Sequence, residues 1–436
     1  MKIYGFVRGG LDYDDDSAPA RSRSSIAFLP ALSVIPMIQH EGAAARPVVA
    51  IGDYVEEGMV IGRAESKGAA NVHAPVPGRV LRSVLWRMSD GRTSEALVVR
   101  LGGGFAKLGK RKELFSWNGL APSDLQRLIA ERGVTQLENP GRPVAEIVAA
   151  VRAAARKTTV VATLVFDDPW LVADWAVSEE RTDDIAEGLA IVIKAAGSAV
   201  AAVAVSARDR QLGARLVSSI ERFGISAHLV TVRDRYPQRN SRELDYSLRL
   251  FEKKNGIEFG AIVPFSPSTL AAVYDAVRAN VPLLERYVAV GGSAVKRPAV
   301  LRLRIGARIG DAIAECGGFL EEPRRIVVGS PLTGSAVSDL DVPVTKTTFA
   351  VAALTDCQIR GSVVRACINC GSCRRVCPVG LDPERLHKLA LLGLYEQAKS
   401  DGALSCHGCG CCATVCPSRL PLRATIALCA ANGRRA

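Results

Sequence analysis

The chain has 436 residues, 48% of them hydrophobic and 23% charged, values ordinary for a globular protein of more than one domain. Lys and Arg exceed Asp and Glu by 12, which favours acidic partners, but aromatics make up only 5% and are not interleaved with the basic residues, which argues against nucleic acid. The start, Met1 to Gly10, lacks the apolar core of a signal peptide, and the most apolar stretch, Leu189–Ala207, is broken by Lys194 and by Gly197-Ser198, so the chain is expected to carry neither a leader nor a membrane span.

Taken in chain order, residues 1–103 predict small β structure. Val48–Val55 turns at Gly52-Asp53, and Val60–Arg63 and Val80–Leu85 read as short strands between Gly and Pro turns. Gly102-Gly103-Gly104, followed by Lys107, Lys110, Arg111 and Lys112, reads as a linker; no Lys-Ser/Thr helix start follows, so a phosphate loop is not expected. Helical and strand patterns then alternate. Helices are predicted over Pro122–Arg132, Val144–Arg156, Arg181–Ala196, Arg208–Arg222 and Ser268–Ala279. Strands are predicted over Val160–Phe166, Ala199–Val205, Ala227–Val232 and Gly260–Pro264. That alternation implies an α/β domain with a largely parallel sheet. Residues 282–350 return to short strands, at Tyr287–Val290, Val300–Ile305 and Arg325–Val328, around one helix at Ile309–Cys316. Short helices follow, among them Pro383–Gln397.

Eight of the 12 cysteines form two copies of one pattern. Cys367, Cys370, Cys373 and Cys377 with Pro378 make the first run, and Cys406, Cys409, Cys412 and Cys416 with Pro417 the second. The C-x2-C-x2-C-x3-C-P spacing is that of bacterial two-cluster ferredoxins. Three cysteines two residues apart wrap one four-iron cube, and the fourth, leaving on a helix, reaches the other. The predicted ligand sets are therefore crossed: Cys367, Cys370, Cys373 and Cys416 for the first 4Fe–4S cluster, and Cys406, Cys409, Cys412 and Cys377 for the second. Zinc ribbons use paired knuckles without the third Cys and the Pro, which disfavours structural zinc. Cys316, Cys357, Cys411 and Cys429 read as small buried residues or free thiols, and Cys411 as an alternative ligand in a damaged site. His407 reads as a solvated loop histidine. Arg374 and Arg375 read either as a solvated basic face or as charges that greet an acidic partner.

Over nearly its whole length the chain resembles the RnfC family, a component of the Rnf electron-transport complex. Ile35-Pro36-Met37-Ile38-Gln39-His40 is similar to that family's N-terminal signature. Gly52-Asp53-Tyr54-Val55 with Gly58, and Val72 to Val80, resemble its barrel-sandwich domain, related to biotinyl and lipoyl carriers; no Met-Lys-Met is present, so no carried group is expected. Pro282 to Gly292, Arg304-Ile305-Gly306, Gly317-Gly318 and Gly329 to Gly334 resemble its β-grasp ligand-binding module, and Arg235-Tyr236-Pro237 a further signature. The resemblance implies a multidomain α/β and β protein. Its parts are a barrel-sandwich domain (1–103), a Rossmann-like α/β domain (115–280), a β-grasp module (281–350) and an α-helical two-cluster ferredoxin domain (355–436).

The family's flavin motifs are eroded. Where members hold FMN on a GxGGAxFP turn, this chain has Gly133-Val134-Thr135-Gln136-Leu137-Glu138-Asn139-Pro140, and Glu138 would repel a phosphate. The second motif, NGAECEP-like, aligns with Val165 to Trp170 and keeps only Asp168-Pro169. Gly133 and Asp168 remain as candidate cofactor residues, and FMN and NADH are not expected. Asp167 and Asp168 read better as helix caps or surface groups. The resemblance implies a peripheral electron-transfer subunit with no catalytic site of its own. It would sit on the cytoplasmic face of a membrane-bound, ion-translocating complex, beside membrane subunits, and exchange electrons with a small acidic carrier, ferredoxin or flavodoxin. Two alternatives stand beside it: an FMN-dependent NADH oxidoreductase subunit with a remodelled flavin site, and a scaffold that keeps its clusters for structure.

Overall fold

The structure is a computed structural model that describes residues 2–111, 113–138, 141–154, 156–198, 200–356 and 363–431. Met1, Lys112, Asn139, Pro140, Ala199 and Cys357, named above, lie outside the described residues.

Two small antiparallel sheets pack face to face in the N-terminal quarter. One runs Leu32–Pro36, Thr93–Leu101, Gly78–Arg87, Tyr54–Val55 in spatial order; the other runs Arg46–Pro47, Val60–Arg63, Val72–His73. Alternating side chains point inward, so Ile35, Val55, Ile61, Val80, Leu97 and Val99 share one core. The segment ahead of Leu32 does not join these sheets, although the sequence groups it with them. Ser25–Ile26 pairs in parallel with Ala299–Arg304, and Tyr4 bridges to Val232. Its backbone groups find their partners elsewhere: Tyr4 N donates to Thr231 O (3.0 Å), and Arg233 N donates to Tyr4 O (2.7 Å).

The middle of the chain forms an all-parallel sheet of Ala227–Val232, Val200–Ser206, Thr158–Leu164 and Ala261–Phe265, in that spatial order. In chain order this is third-second-first-fourth. Thr158–Leu164 is buried at every position, as a strand covered on both faces must be. Val160, Ala162 and Leu164 face the helices Pro122–Glu131, Val144–Ala153, Thr182–Ala196, Arg210–Glu221 and Pro267–Val277. Val161 and Val165 face the opposite way, onto Leu244 and Leu248 of the helix Ser241–Asn255. Within the apolar stretch, residues 189–196 are a buried helix end and Val200–Ser206 a strand buried from Ala201 on, as the breakers between them imply. Among the described residues no helix is long and apolar enough to cross a membrane.

A mixed sheet follows, in the order Ser25–Ile26, Ala299–Arg304, Glu285–Gly291, Ala350–Leu354, Arg325–Val328, Ser335–Val337. Tyr287, Ala289, Ala350 and Ala352 extend the core beneath the parallel sheet's helices; Val288, Val290, Leu301 and Val351 pack on the helix Ile309–Glu315 from the other face. The C-terminal region is helical. The single helix expected over Pro383–Gln397 is two, Pro383–Leu391 and Tyr395–Ser400, separated at Leu392-Gly393-Leu394. Leu386, Leu389, Ala398 and Ile426 form their common core.

Candidate iron–sulfur centres

The two cysteine runs each fold as a loop closing on a one-turn helix, Ser372–Val376 in the first and Cys411–Thr414 in the second. Backbone bonds splice the end of the second run onto the start of the first: Arg365 N donates to Ser418 O (2.9 Å), and Ser418 Oγ donates to Ala366 O (2.7 Å). Two cavities result. One, of about 280 Å³, is lined by Cys367, Cys370, Cys373 and Cys416. The other, of about 20 Å³, is lined by Cys377, Cys406, Cys409 and Cys412, with Cys411 beside them. In each, three cysteines come from one run and the fourth from the other. A four-thiol donor set of this kind fits a 4Fe–4S cube. Among the described residues, no three His, Cys, Asp or Glu side chains come together as a single-ion site.

Backbone amides reach the sulfurs. Asn369 N donates to Cys367 Sγ (3.4 Å) and Leu381 N to Cys377 Sγ (3.3 Å), the type of bond that stabilises thiolate and tunes a cluster. Cys370 is exposed, and the Ser372 hydroxyl beside it lowers its thiol pKa. Burial raises Cys406 and pushes Cys412 up to about 12. The Cys411 thiol hydrogen-bonds to Cys409, so Cys409 is held low and Cys411 high. Cys316, Cys411 and Cys429 are buried, as small apolar-like residues are.

The second loop is fastened to the rest of the molecule by side chains that the sequence did not single out for this. The Tyr236 hydroxyl donates to Cys409 O (2.7 Å), and Leu11 exchanges backbone bonds with Tyr236. Arg423 donates to Gly408 O (2.9 Å) and to Thr333 O (2.6 Å). His407 is an exposed loop residue, as expected, but its ring is not free in solvent. Its Nε2 lies 3.1 Å from Glu243 Oε1 and its Nδ1 2.7 Å from Asn240 Nδ2. Burial alone would lower its pKa, but bonds to Cys409 and the buried Glu243 carboxylate outweigh that and raise it to about 9. A Glu243 pairing required the helix Ser241–Asn255, whose Leu244, Leu248 and Phe251 spacing was the available signal. In the first loop Arg374 pairs with Asp382, and Arg375 donates to Cys370 O (3.0 Å) and Ser372 Oγ (2.8 Å). Both remain exposed.

The flavin candidates are not brought together. Gly133 has φ +62°, and a Cβ there would stand 2.2 Å from Asn71 O, so this glycine serves a close backbone approach to the N-terminal sheets. Asp168 caps the turn Pro169–Leu171 by accepting from Trp170 N (3.0 Å). The capping reading holds for it, but the surface reading does not: Asp167 and Asp168 are both buried. Burial pushes their carboxyls up to about 7 and about 6. Glu138 accepts from Ser266 Oγ (2.6 Å) and Thr269 Oγ1 (3.1 Å), placing its own carboxylate at the N-terminus of Pro267–Val277. A helix N-terminus attracts anions, and here the chain's own carboxylate takes that place. The residues present do not fit a flavin phosphate there.

Family models match three stretches: "RnfC Barrel sandwich hybrid domain" over residues 7–103, "SLBB domain" over 287–336 and "4Fe-4S dicluster domain" over 362–417. The chain is 32% identical over 423 residues to the C component of the ion-translocating oxidoreductase complex of Rhodobacter capsulatus, covering 95% of this chain and 81% of that one. It is 29% identical over 402 residues to the C component of the proton-translocating ferredoxin:NAD(+) oxidoreductase complex of Clostridium ljungdahlii, covering 90% and 86%. It is 25% identical over 405 residues to the C component of the Na(+)-translocating ferredoxin:NAD(+) oxidoreductase complex of Acetobacterium woodii, covering 92% and 91%. The chain belongs to the RnfC family, the C component of Rnf-type ion-translocating oxidoreductase complexes.

Proposed function

We propose that this protein is an electron-relay subunit that passes electrons through two 4Fe–4S clusters, held by Cys367, Cys370, Cys373 and Cys416 and by Cys406, Cys409, Cys412 and Cys377. The observation that carries this reading is the pair of cavities, each walled by three cysteines of one run and one of the other. The relay would work at the cytoplasmic face of a membrane complex, docked on membrane subunits as a peripheral component. The first cluster would be the port for a small acidic carrier such as ferredoxin or flavodoxin, since Cys370 is exposed and Arg375 lies against it. The chain's surplus of 12 basic residues suits that docking.

NADH and FMN fit this chain less well. The third-second-first-fourth parallel sheet supports the Rossmann-like reading of the α/β domain, and the mixed sheet with its packed helix supports the β-grasp reading. Within the first of these, Glu138, on the stretch that aligns with the family's flavin turn, places a carboxylate at a helix N-terminus, where it would repel a phosphate. The protein is reconstituted anaerobically and its iron, sulfide and flavin counted; electron paramagnetic resonance then follows reduction by dithionite and, separately, by NADH. The expected result is two interacting clusters reduced by dithionite, no flavin and no response to NADH. Bound FMN with bleaching by NADH would favour the flavin-dependent oxidoreductase instead.

A further inference from the structure

A third cavity, of about 640 Å³, lies away from both cysteine sites, and no cysteine lines it. It opens where the linker after the N-terminal sheets passes over the seam between the parallel-sheet helices and the mixed sheet. Val172–Glu180 and Pro267–Val277 wall one side, Glu285–Gly291 and Ala299–Arg304 the other. Its size is that of small-molecule sites, and Leu137, Val177, Ala272 and Leu283 give it apolar walls.

Its exposed rim carries Glu113, Glu180 and Arg111 besides the linker lysines, and its buried charges are unbalanced in one place. Three of its arginines have an acid of their own: Arg181 with Asp275 at 2.9 Å, Arg302 with Glu285 at 2.6 Å and Arg304 with Glu57 at 2.9 Å. Arg286 has none. It is 3% exposed, and its Nε and Nη2 donate only to carbonyls, Thr348 O (3.3 Å) and Leu137 O (3.2 Å). Among the described residues no carboxylate lies within ion-pair reach of it. The acids whose field it feels are engaged elsewhere: Asp174 with Arg239 (2.6 Å), and Glu138 with Ser266 and Thr269. Burial accordingly pulls its pKa down to about 10. A buried cation without a counter-ion is costly, and an anion in the cavity would remove that cost.

The basic linker contributes at the mouth. Glu57 accepts from Lys107 N (2.6 Å) and Leu108 N (3.1 Å) while pairing with Arg304, which holds the linker over the cavity. Lys107 and Lys110 line the cavity, are exposed, and have no ion-pair partner among the described residues.

We propose that this cavity binds a small organic anion with two or more negative charges on a partly apolar body, with Arg286 as its buried counter-ion and Lys107 and Lys110 at its mouth. The guanidinium fork suits a carboxylate or a phosphate alike. The proposal is independent of the cluster assignment.

Calorimetric titration of the reconstituted full chain with AMP and, separately, with citrate tests it. Saturable binding of at least one probe below ~1 mM is expected, weakening with salt. Binding of AMP alone marks a phosphorylated ligand, and of citrate alone a polycarboxylate; either supports the site. Arg286→Met should weaken binding at least ~10-fold, as loss of a charge-assisted bond does. Because that change could disturb folding, Ala272→Phe serves as a second variant. It fills the cavity, leaves every cation in place, and should abolish binding with the iron count and circular dichroism unchanged. Failure of both probes to bind, or binding that survives Ala272→Phe or a folded Arg286→Met, overturns the proposal.

Discussion

Lys346 shows how much a single buried charge can govern. It is 2% exposed, and its Nζ donates to Asn71 O (2.8 Å) and Gly133 O (2.7 Å), joining the N-terminal sheets to the α/β region. Burial pulls its pKa down from 10.5 to about 7. Below that value both folded and unfolded states hold the proton. Between about 7 and 10.5 only the unfolded state holds it, so stability rises with pH through this window and is lost as pH falls towards 7. Urea midpoints measured across this window should climb for the parent chain and much less for Lys346→Met; equal slopes would contradict this account. Such residues were not legible beforehand. The cysteine runs were, because their spacing is local and each position has one chemical purpose. Lys346, Arg286 and His407 take their meaning from groups far away in the chain, such as Glu243 for His407, 164 residues off. No local pattern announces them.

At the scale of elements, periodicity located the parallel sheet and most of its helices, since its strands are short apolar runs and most of its helices have an apolar stripe. Two helices escaped it. Val172–Glu180 is buried on several sides, from Val172 and Ala173 to Ser178, so it shows no stripe. Ser241–Asn255 has a clear stripe hidden among many charges. Pro383–Leu391 stops early because Gly393, at φ +70°, turns the chain where the apolar pattern continues. The N-terminal segment is the larger departure. It lies along the edge of the parallel sheet and meets the first cysteine run, where Gly10 N donates to Val376 O (2.9 Å). Gly9 has φ +70°, and a Cβ there would come within 2.6 Å of the Cys377 backbone. Gly9→Ala is therefore expected to cost about 1 kcal/mol or more and to hasten loss of the cluster that uses Cys377. Cluster absorbance followed under a chelator checks it; a decay identical to that of the parent chain would show that the segment does not brace this site.

Across the whole molecule, the cluster region is fastened to both neighbouring sheets. Tyr236 and His407 anchor the second loop to the α/β part, and Arg423 anchors it to the mixed sheet. The first loop is left more open, with Cys370 at the surface. A relay entered from that side should show electrostatic steering. Stopped-flow reduction by an acidic ferredoxin should slow steeply between ~0.01 and ~0.15 M salt, and a rate indifferent to salt would remove the basic surface from the account. The crossed ligand sets are tested most directly by iron counts on two double variants of the reconstituted chain. Cys370→Ala with Cys416→Ala strikes one cluster twice and should leave about four irons per chain; Cys370→Ala with Cys377→Ala strikes both clusters and should leave almost none. The reverse pattern, with iron kept by the second variant and lost by the first, would mean that each run holds its own cluster and would contradict the account.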